Sequence, residues 1–276
     1  MSGRNKAPTH PFQVYKPPAI RYKRSMQDLV IKSYGDLDFH KTIGELIRQH
    51  SENKEDIREV AKQFIDQEDV HDILDLGCGY GWFEESLPNG FRSILGIDCL
   101  EANECGFLAV AKKIAATALF RQMLLPAPLD VVPESLDLVI AAYSLYFFPG
   151  ILSEVRRILR PQGTFLIITH SASMLEEGEE FFNFSNLRQV INNFSAENGT
   201  KLLKQYFGHV TEIDYVNSLI FSRDERDDLA KYIDFKREFI SKDVSPAVMK
   251  AKMIYELETR GTMRFNKNDR IFMARK

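Results

Sequence analysis

Asp75 stands two residues ahead of three glycines at alternate positions, Asp75-Leu76-Gly77-Cys78-Gly79-Tyr80-Gly81, and a second acid, Asp98, follows 23 residues after it. Glycine removes the Cβ that keeps a backbone away from a ligand, and it permits the turns of a tight loop. The sequence predicts a helix beyond the loop, over 82–87, whose free N–H groups would receive a polar or anionic group. Two carboxylates near such a loop can accept charge-assisted hydrogen bonds from a bound ligand. The chemistry expected is therefore the binding of a nucleotide-type cofactor. A dinucleotide loop needs G-x-G-x-x-G, with a glycine where the helix packs closely. Here the third glycine comes one place early and Trp82 takes the dinucleotide position, so a nicotinamide cofactor fits poorly.

Short apolar runs alternating with helical patterns must position these groups. Residues 73–76 read as a buried strand stopped by the glycines, and 93–98 as a second strand ending in Asp98. An Ala-rich helix is expected over 103–117 and a third strand over 118–123. Residues 136–142 form a nearly continuous apolar run, as in a strand buried on both faces. A helix over 152–159 ends at Arg160-Pro161-Gln162-Gly163, which carries both stop signals, and a fifth strand covers 164–169. Such alternation implies a parallel sheet with right-handed crossovers, an α/β doubly wound layout. Residues 25–64 have a helical pattern. Helices are expected again over 186–194, 201–206, 223–240 and 246–259, with extended chain over 209–221 and a closing hairpin-like edge over 262–265 and 270–274.

The loop from Ile73 to Gly81 resembles the first motif of class I S-adenosylmethionine-dependent methyltransferases, and the resemblance continues in order over residues 72–172. Asp98 ends the second strand, where that family places the acid that bonds the ribose hydroxyls. Pro133-Glu134-Ser135-Leu136-Asp137-Leu138-Val139 is similar to the lead-in and fourth strand. Leu159-Arg160-Pro161-Gln162-Gly163-Thr164-Phe165 is similar to the turn into the fifth, with Gln162 in place of a glycine. The resemblance implies a Rossmann-like, mostly parallel seven-stranded sheet with a helical N-terminal segment and a helical cap inserted near the C-terminus. It implies S-adenosyl-L-methionine as cofactor, held by Asp75, Gly77, Cys78, Gly79, Gly81, Asp98, Cys99, Leu100, Met123, Leu124, Ala141 and Tyr143. The acid that often bonds the adenine amino group has no counterpart near Gln122–Leu125 in this sequence. Met123, Leu124 and backbone amides are expected to replace it, with Cys99 and Leu100 packed on the ring. By analogy, Tyr34 and Phe39 are expected in a lid.

The methyl acceptor is expected over the ends of the fourth and fifth strands. The segment Tyr143-Ser144-Leu145-Tyr146-Phe147-Phe148-Pro149 lacks the Asn/Asp-Pro-Pro-Tyr motif of DNA and protein-glutamine amino-methyltransferases. Its aromatics suit a planar or apolar small molecule or a wall shielding the sulfonium, with hydrophobic core as the plainer reading for Phe147 and Phe148. His170, at the end of the fifth strand, and Tyr146 are the candidate catalytic residues, His170 as a general base. Catalysis by SN2 transfer needs alignment more than a base.

The formal net charge of −3 gives no global pull toward nucleic acid. Residues 1–24, however, carry six basic side chains and no acid, so an arm gripping RNA or protein is an alternative. A non-catalytic S-adenosylmethionine-binding regulator is another. Cys78, Cys99 and Cys105 show no metal spacing, and no metal is expected. No apolar stretch suggests a membrane span or a secretory leader, and a cytoplasmic location is expected. The organisation expected is a flexible basic arm over 1–24 and a methyltransferase domain over 25–276. Within the domain, 25–70 are N-terminal helices, 71–222 a cofactor-binding core, 223–260 a cap insertion and 261–276 the final strand region. The leading expectation is an enzyme that methylates O, N or C of a small metabolite.

Overall fold

The computed structural model describes residues 24–65, 68–241 and 245–276. Three helices come first, α1 (Arg24–Tyr34), α2 (Leu37–His50) and α3 (Ile57–Lys62). Asp36 and Asp56 cap the latter two, accepting from the amides of Phe39 and Arg58. The chain continues through β1 (Asp72–Leu76), β2 (Phe91–Asp98), α4 (Glu104–Ile114), β3 (Ala115–Gln122), β4 (Leu136–Ala142), α5 (Leu152–Ile158) and β5 (Leu159–His170). There follow α6 (Ser185–Ile191), α7 (Gly199–Leu203), β6 (His209–Tyr215), β7 (Ser218–Ser222), α8 (Arg226–Lys236), α9 (Pro246–Arg260), β8 (Thr262–Asn266) and β9 (Asp269–Arg275). The basic arm expected over 1–24 lies outside the described residues, save Arg24, which opens α1.

Seven strands form one sheet in the order β3-β2-β1-β4-β5-β9-β6. β1 through β5 pair in parallel, and β9 runs antiparallel to both its neighbours. This is the Rossmann-like, mostly parallel arrangement. Every residue of β1 is buried, and alternate residues of the central strands feed two separate cores. Leu74, Leu76, Val139, Ala141 and Ile167 face the core shared with α2, α5 and α8. Ile73, Ile94, Leu138, Ile140 and Ile168 face the core shared with α3 and α4. At the amino ends of the strands the buried carboxylate of Asp72 joins Arg92 and Arg160, and Arg160 also reaches Asp137. The arginine of the turn before the fifth strand thus ties three strands together. No helix among the described residues is long and apolar enough to cross a membrane.

Three local expectations need correction. Residues 82–87 do not form an α-helix; only Glu84–Ser86 make a single 3-10 turn. Leu87 is extended because Pro88 follows it, and the proline ring disfavours helical backbone in the preceding residue. Residues 115–117, read as helix for their alanines, belong to β3, where Ala115 pairs with Phe91 and Thr117 with Ser93. Sheet pairing overrides helix propensity there. The last two strands do not form a hairpin with each other. β8 pairs with β7 in a separate two-stranded sheet, whereas β9 is threaded between β5 and β6. The helices α8 and α9 are therefore an excursion from the β7–β8 pair.

Candidate functional site

A cavity of about 1040 Å³ opens over the carboxyl ends of β1, β2, β4 and β5, where open α/β sheets place their ligands. Asp75, Gly77, Cys78, Gly79, Asp98, Cys99, Leu100, Met123, Leu124, Tyr143, Tyr146 and His170 all line it.

The glycine loop makes one side of the cavity. Gly77 has φ 76°, and a Cβ there would lie 2.5 Å from that of Ser144, whose hydroxyl donates to the Leu76 carbonyl. The loops after β1 and β4 are thus locked together at a place only glycine fits. Gly79, with φ 54°, faces open space: no atom lies within 4 Å of a Cβ built on it. Its amide donates to Asp98 Oδ2 at 3.0 Å, and the Leu100 amide donates to Asp98 Oδ1 at 2.8 Å. Burial raises the pKa of Asp98, and these backbone bonds work against that rise. Cys99 lines the wall beside it as a neutral thiol, its pKa pushed up to about 12 by burial.

Beneath the loop, Asp75 and Glu84 form an adjoining pair of buried carboxyls. Asp75 Oδ1 and both carboxyl oxygens of Glu84 meet no other donor among the described residues, so a proton held by one acid is shared with the other. Burial raises the pKa of both acids, and the negative charge of Glu84 raises that of Asp75 further. The pair therefore favours holding a proton in the absence of a cation.

The opposite side of the cavity centres on Asp269, the first residue of β9. Its Oδ2 accepts from the Tyr143 hydroxyl at 2.7 Å and from Lys267 Nζ at 2.6 Å, and its Oδ1 lies 2.7 Å from His170 Nδ1. Burial alone would raise the Asp269 pKa, yet Lys267 and His170 together hold it below the usual value. Burial, and then Lys267, push His170 down to about 4, outweighing the pull of Asp269. His170 is thus a neutral imidazole. The ionised carboxylate assigns its proton to Nδ1 and leaves Nε2 as an acceptor. Tyr143 stacks on the His170 ring at 4.7 Å, and Tyr146 lies 5.8 Å from it.

Aromatic rings continue from there. Tyr34, at the end of α1, meets Phe147, Phe235 and Phe239 edge-on at 5.6–6.5 Å and hydrogen-bonds with Tyr146. His40 stacks on Phe235 at 6.0 Å and is pushed down to about 4, first by burial and then by Lys236. Lys236, the last residue of α8, lies over the rings of Tyr232, Phe235 and Phe239 at 5.1–5.8 Å.

Two residues expected at the cofactor do not line the cavity. Ala141 points into the sheet core, fully buried, and its neighbour Ala142 lines the cavity instead. Gly81 lies behind the loop, where a Cβ would come within 3.4 Å of Val110 and Phe107, so its smallness serves the packing of α4. Of the two lid residues, Tyr34 lines the cavity and Phe39 packs behind it on Phe235. Four site groups escaped the sequence: Glu84, Lys236, Lys267 and Asp269. The polar run Asn266-Lys267-Asn268-Asp269 between two apolar strands was the one available signal.

The parallel sheet, the glycine loop and the cavity at the strand ends define a Rossmann-like cofactor-binding protein. A methyltransferase-domain family model matches residues 47–206, more than half of the chain, and the chain belongs to that family, the class I S-adenosylmethionine-dependent methyltransferases. It is a methyltransferase, its cofactor is S-adenosylmethionine, and its substrate is a methyl acceptor. No curated protein matches it by sequence. Among solved structures it is similar to the YcgJ protein of Bacillus subtilis, with a TM-score of 0.55 and 17% identity over 79% of this chain and 97% of that one. It is also similar to a Haemonchus contortus phosphoethanolamine N-methyltransferase 2 complexed with phosphomonomethylethanolamine and S-adenosylhomocysteine. The TM-score there is 0.53, at 15% identity over 91% of this chain and 60% of that one. The [4+2]-cyclase SpnF gives a TM-score of 0.51 at 16% identity, covering 91% and 96% of the two chains. At these identities the likeness is one of fold.

Proposed function

We propose that the chain methylates a small molecule, held in the half of the cavity bounded by Tyr143, His170, Asp269 and α8. The supporting observation is the continuity of one cavity from Asp75 and Asp98 to Asp269 and Lys236. Its volume is at the upper end of what single small ligands occupy, room for a cofactor and a small acceptor side by side.

The residues on the glycine side fit the cofactor. Asp75 Oδ1, which meets no donor outside the acid pair, suits the methionine ammonium, and the open face of Gly79 lets a ligand approach the backbone. Asp98, oriented by two amides, keeps acceptor capacity for the ribose hydroxyls. Cys99, Leu100, Met123 and Leu124 offer apolar walls for the adenine. When bound, S-adenosylmethionine supplies an electrophilic methyl group on a cationic sulfur. The protein's part is then to hold the acceptor in line and to exclude water. His170 Nε2 receives a proton where the acceptor atom carries one, while Asp269 holds Nδ1–H and steadies the imidazolium. Tyr143, fixed on Asp269, and Tyr146 wall the reacting centre. Tyr34 of α1 and Phe235 and Lys236 of α8 continue this wall, with residues 223–260, which include α8, as the cap.

The test is calorimetry with S-adenosylmethionine, followed by transfer of a labelled methyl group into a cell extract separated by size. Label in the low-mass fraction supports a small acceptor, and label confined to protein or RNA overturns it. Absence of cofactor binding at millimolar concentration overturns the proposal as a whole.

A further inference from the structure

Lys236 is a buried amine without an ion-pair partner among the described residues; burial first, and then Lys267, push its pKa down to about 7, against the pull of Asp269. Its residue exposure is 5%, and among the described residues its ammonium has neither an ion-pair nor a hydrogen-bond partner. Lys267, the other buried lysine on this side of the cavity, is matched by Asp269 at 2.6 Å. The two histidines flanking Lys236, His40 and His170, are held neutral, both pushed down to about 4. When protonated, Lys236 therefore adds a positive charge that no ion pair among the described residues offsets, and an anion beside it would hold that proton in place.

Holding an ammonium with little water and no counter-charge is costly, which is why its pKa falls, and three ring faces recover only part of the loss. Packing does not require it, since a methionine would fill the same space against Tyr232, Phe235 and Phe239 without a charge. The hydroxyl of Tyr232, also buried, has no hydrogen-bond partner. The rings already enclose the protein's own cation, so they are not free to cage a cationic acceptor, which Lys236 and Lys267 would repel.

We propose that Lys236 is the anion subsite of the acceptor pocket, seating a carboxylate or phosphate group of the small molecule to be methylated. The proposal rests on the methyltransferase function proposed above and adds the charge of its substrate. An anionic group on Lys236 completes the ion pair that the fold leaves open, and it turns the rest of the acceptor along the aromatic wall toward His170. The end-on approach suits either oxyanion, because a lysine ammonium acts as a point charge and imposes no planar geometry.

The experiment uses the full chain saturated with S-adenosylhomocysteine and titrates it with inorganic phosphate, with acetate and, as the uncharged control, with acetamide. Lys236→Met and Lys236→Arg are titrated in parallel. Binding of phosphate or acetate, but not acetamide, is expected for the native chain and for Lys236→Arg, with a loss of about tenfold or more in Lys236→Met. Whichever anion binds more tightly assigns the group as phosphate or carboxylate. Equal anion binding by the native chain and Lys236→Met overturns the subsite, as does no anion binding by a native chain that takes up S-adenosylhomocysteine. A chain that fails to bind S-adenosylhomocysteine sinks the methyltransferase function instead. A second readout needs no variant: bound phosphate or acetate should slow acetylation of Lys236 in the native chain, followed by mass spectrometry. Unchanged labelling counts against the proposal.

Discussion

His170 and Asp269 are direct cross-strand partners, the last residue of β5 opposite the first residue of β9, and their side chains meet at 2.7 Å. Antiparallel register alone brings together two groups that lie 99 residues apart in the chain. The bond fixes the imidazole tautomer, and the same carboxylate fixes Tyr143 and Lys267. One acid therefore organises three side chains around the proposed reacting centre.

Replacing Asp269 by Asn should destabilise the fold by about 3 kcal/mol, since it leaves Lys267 buried without its counter-charge. It should also lower kcat far more than cofactor affinity. Denaturant unfolding and calorimetry with S-adenosylmethionine check the two parts separately. A variant of native stability would contradict the account of the network.

Asp98→Ala should weaken S-adenosylmethionine binding by about 1–3 kcal/mol through the loss of charged acceptors. The Gly79 amide loses its partner in the same variant, so Asp98→Asn, which keeps one acceptor oxygen, should lose less. Equal affinity for all three chains would remove Asp98 from the ribose site.

The Asp75–Glu84 pair predicts a pH dependence of stability. Both carboxyls have raised pKa values in the folded chain, so the folded state holds protons that the unfolded state releases. Their contribution is fully present below the ordinary carboxylate pKa and is lost as pH rises through the folded values. Glu84→Gln should therefore melt higher than the native chain at pH 7, by roughly 2–4 °C for each 1 kcal/mol gained. The two melting curves should converge near pH 4, about the ordinary carboxylate value. Parallel curves across that range would show that the pair does not titrate.

Gln162 occupies a left-handed conformation, φ 69°, at the tip of the turn inside β5. A side chain there costs about 1–2 kcal/mol relative to glycine. Gln162→Gly should raise the unfolding free energy by about 1 kcal/mol, after the extra entropy of a glycine in the unfolded chain is subtracted. Activity should be unchanged, because the turn lies at the opposite end of the sheet from the cavity.

The first five strands and the glycine loop are legible because each rests on a local signal. Apolar runs between turn residues mark buried strands, and Gly77 and Gly79 mark backbone that side chains cannot occupy. Ala141 was misplaced by one residue for a physical reason. In the run from Val139 to Ala142 every side chain is apolar, so nothing in the pattern tells one sheet face from the other. Glu84 was missed because an acid just past a glycine loop usually faces water at a helix start, whereas here it is buried against Asp75. Lys236 and Asp269 could not be found by spacing at all. Their proximity to His170 comes from threading β9 into the sheet and folding α8 back over it.

The excursion that carries Lys236 leaves and rejoins the small sheet at adjacent points. Ser222 and Thr262 are paired, and the Arg223 amide donates to the Gly261 carbonyl at 3.0 Å. The described residues of the excursion, 223–241 and 245–261, leave and rejoin the small sheet through that one neck, and α8 packs Leu229, Tyr232, Ile233 and Phe235 into the main core. The neck itself constrains the length of the segment only weakly, because the entropy of closing a loop depends little on its length, whereas the face of α8 that enters the core has to be kept. Under the proposed function, divergence or engineering can therefore change the acceptor through the cavity-facing residues of this module, Phe235 and Lys236, while the glycine side of the cavity stays as it is.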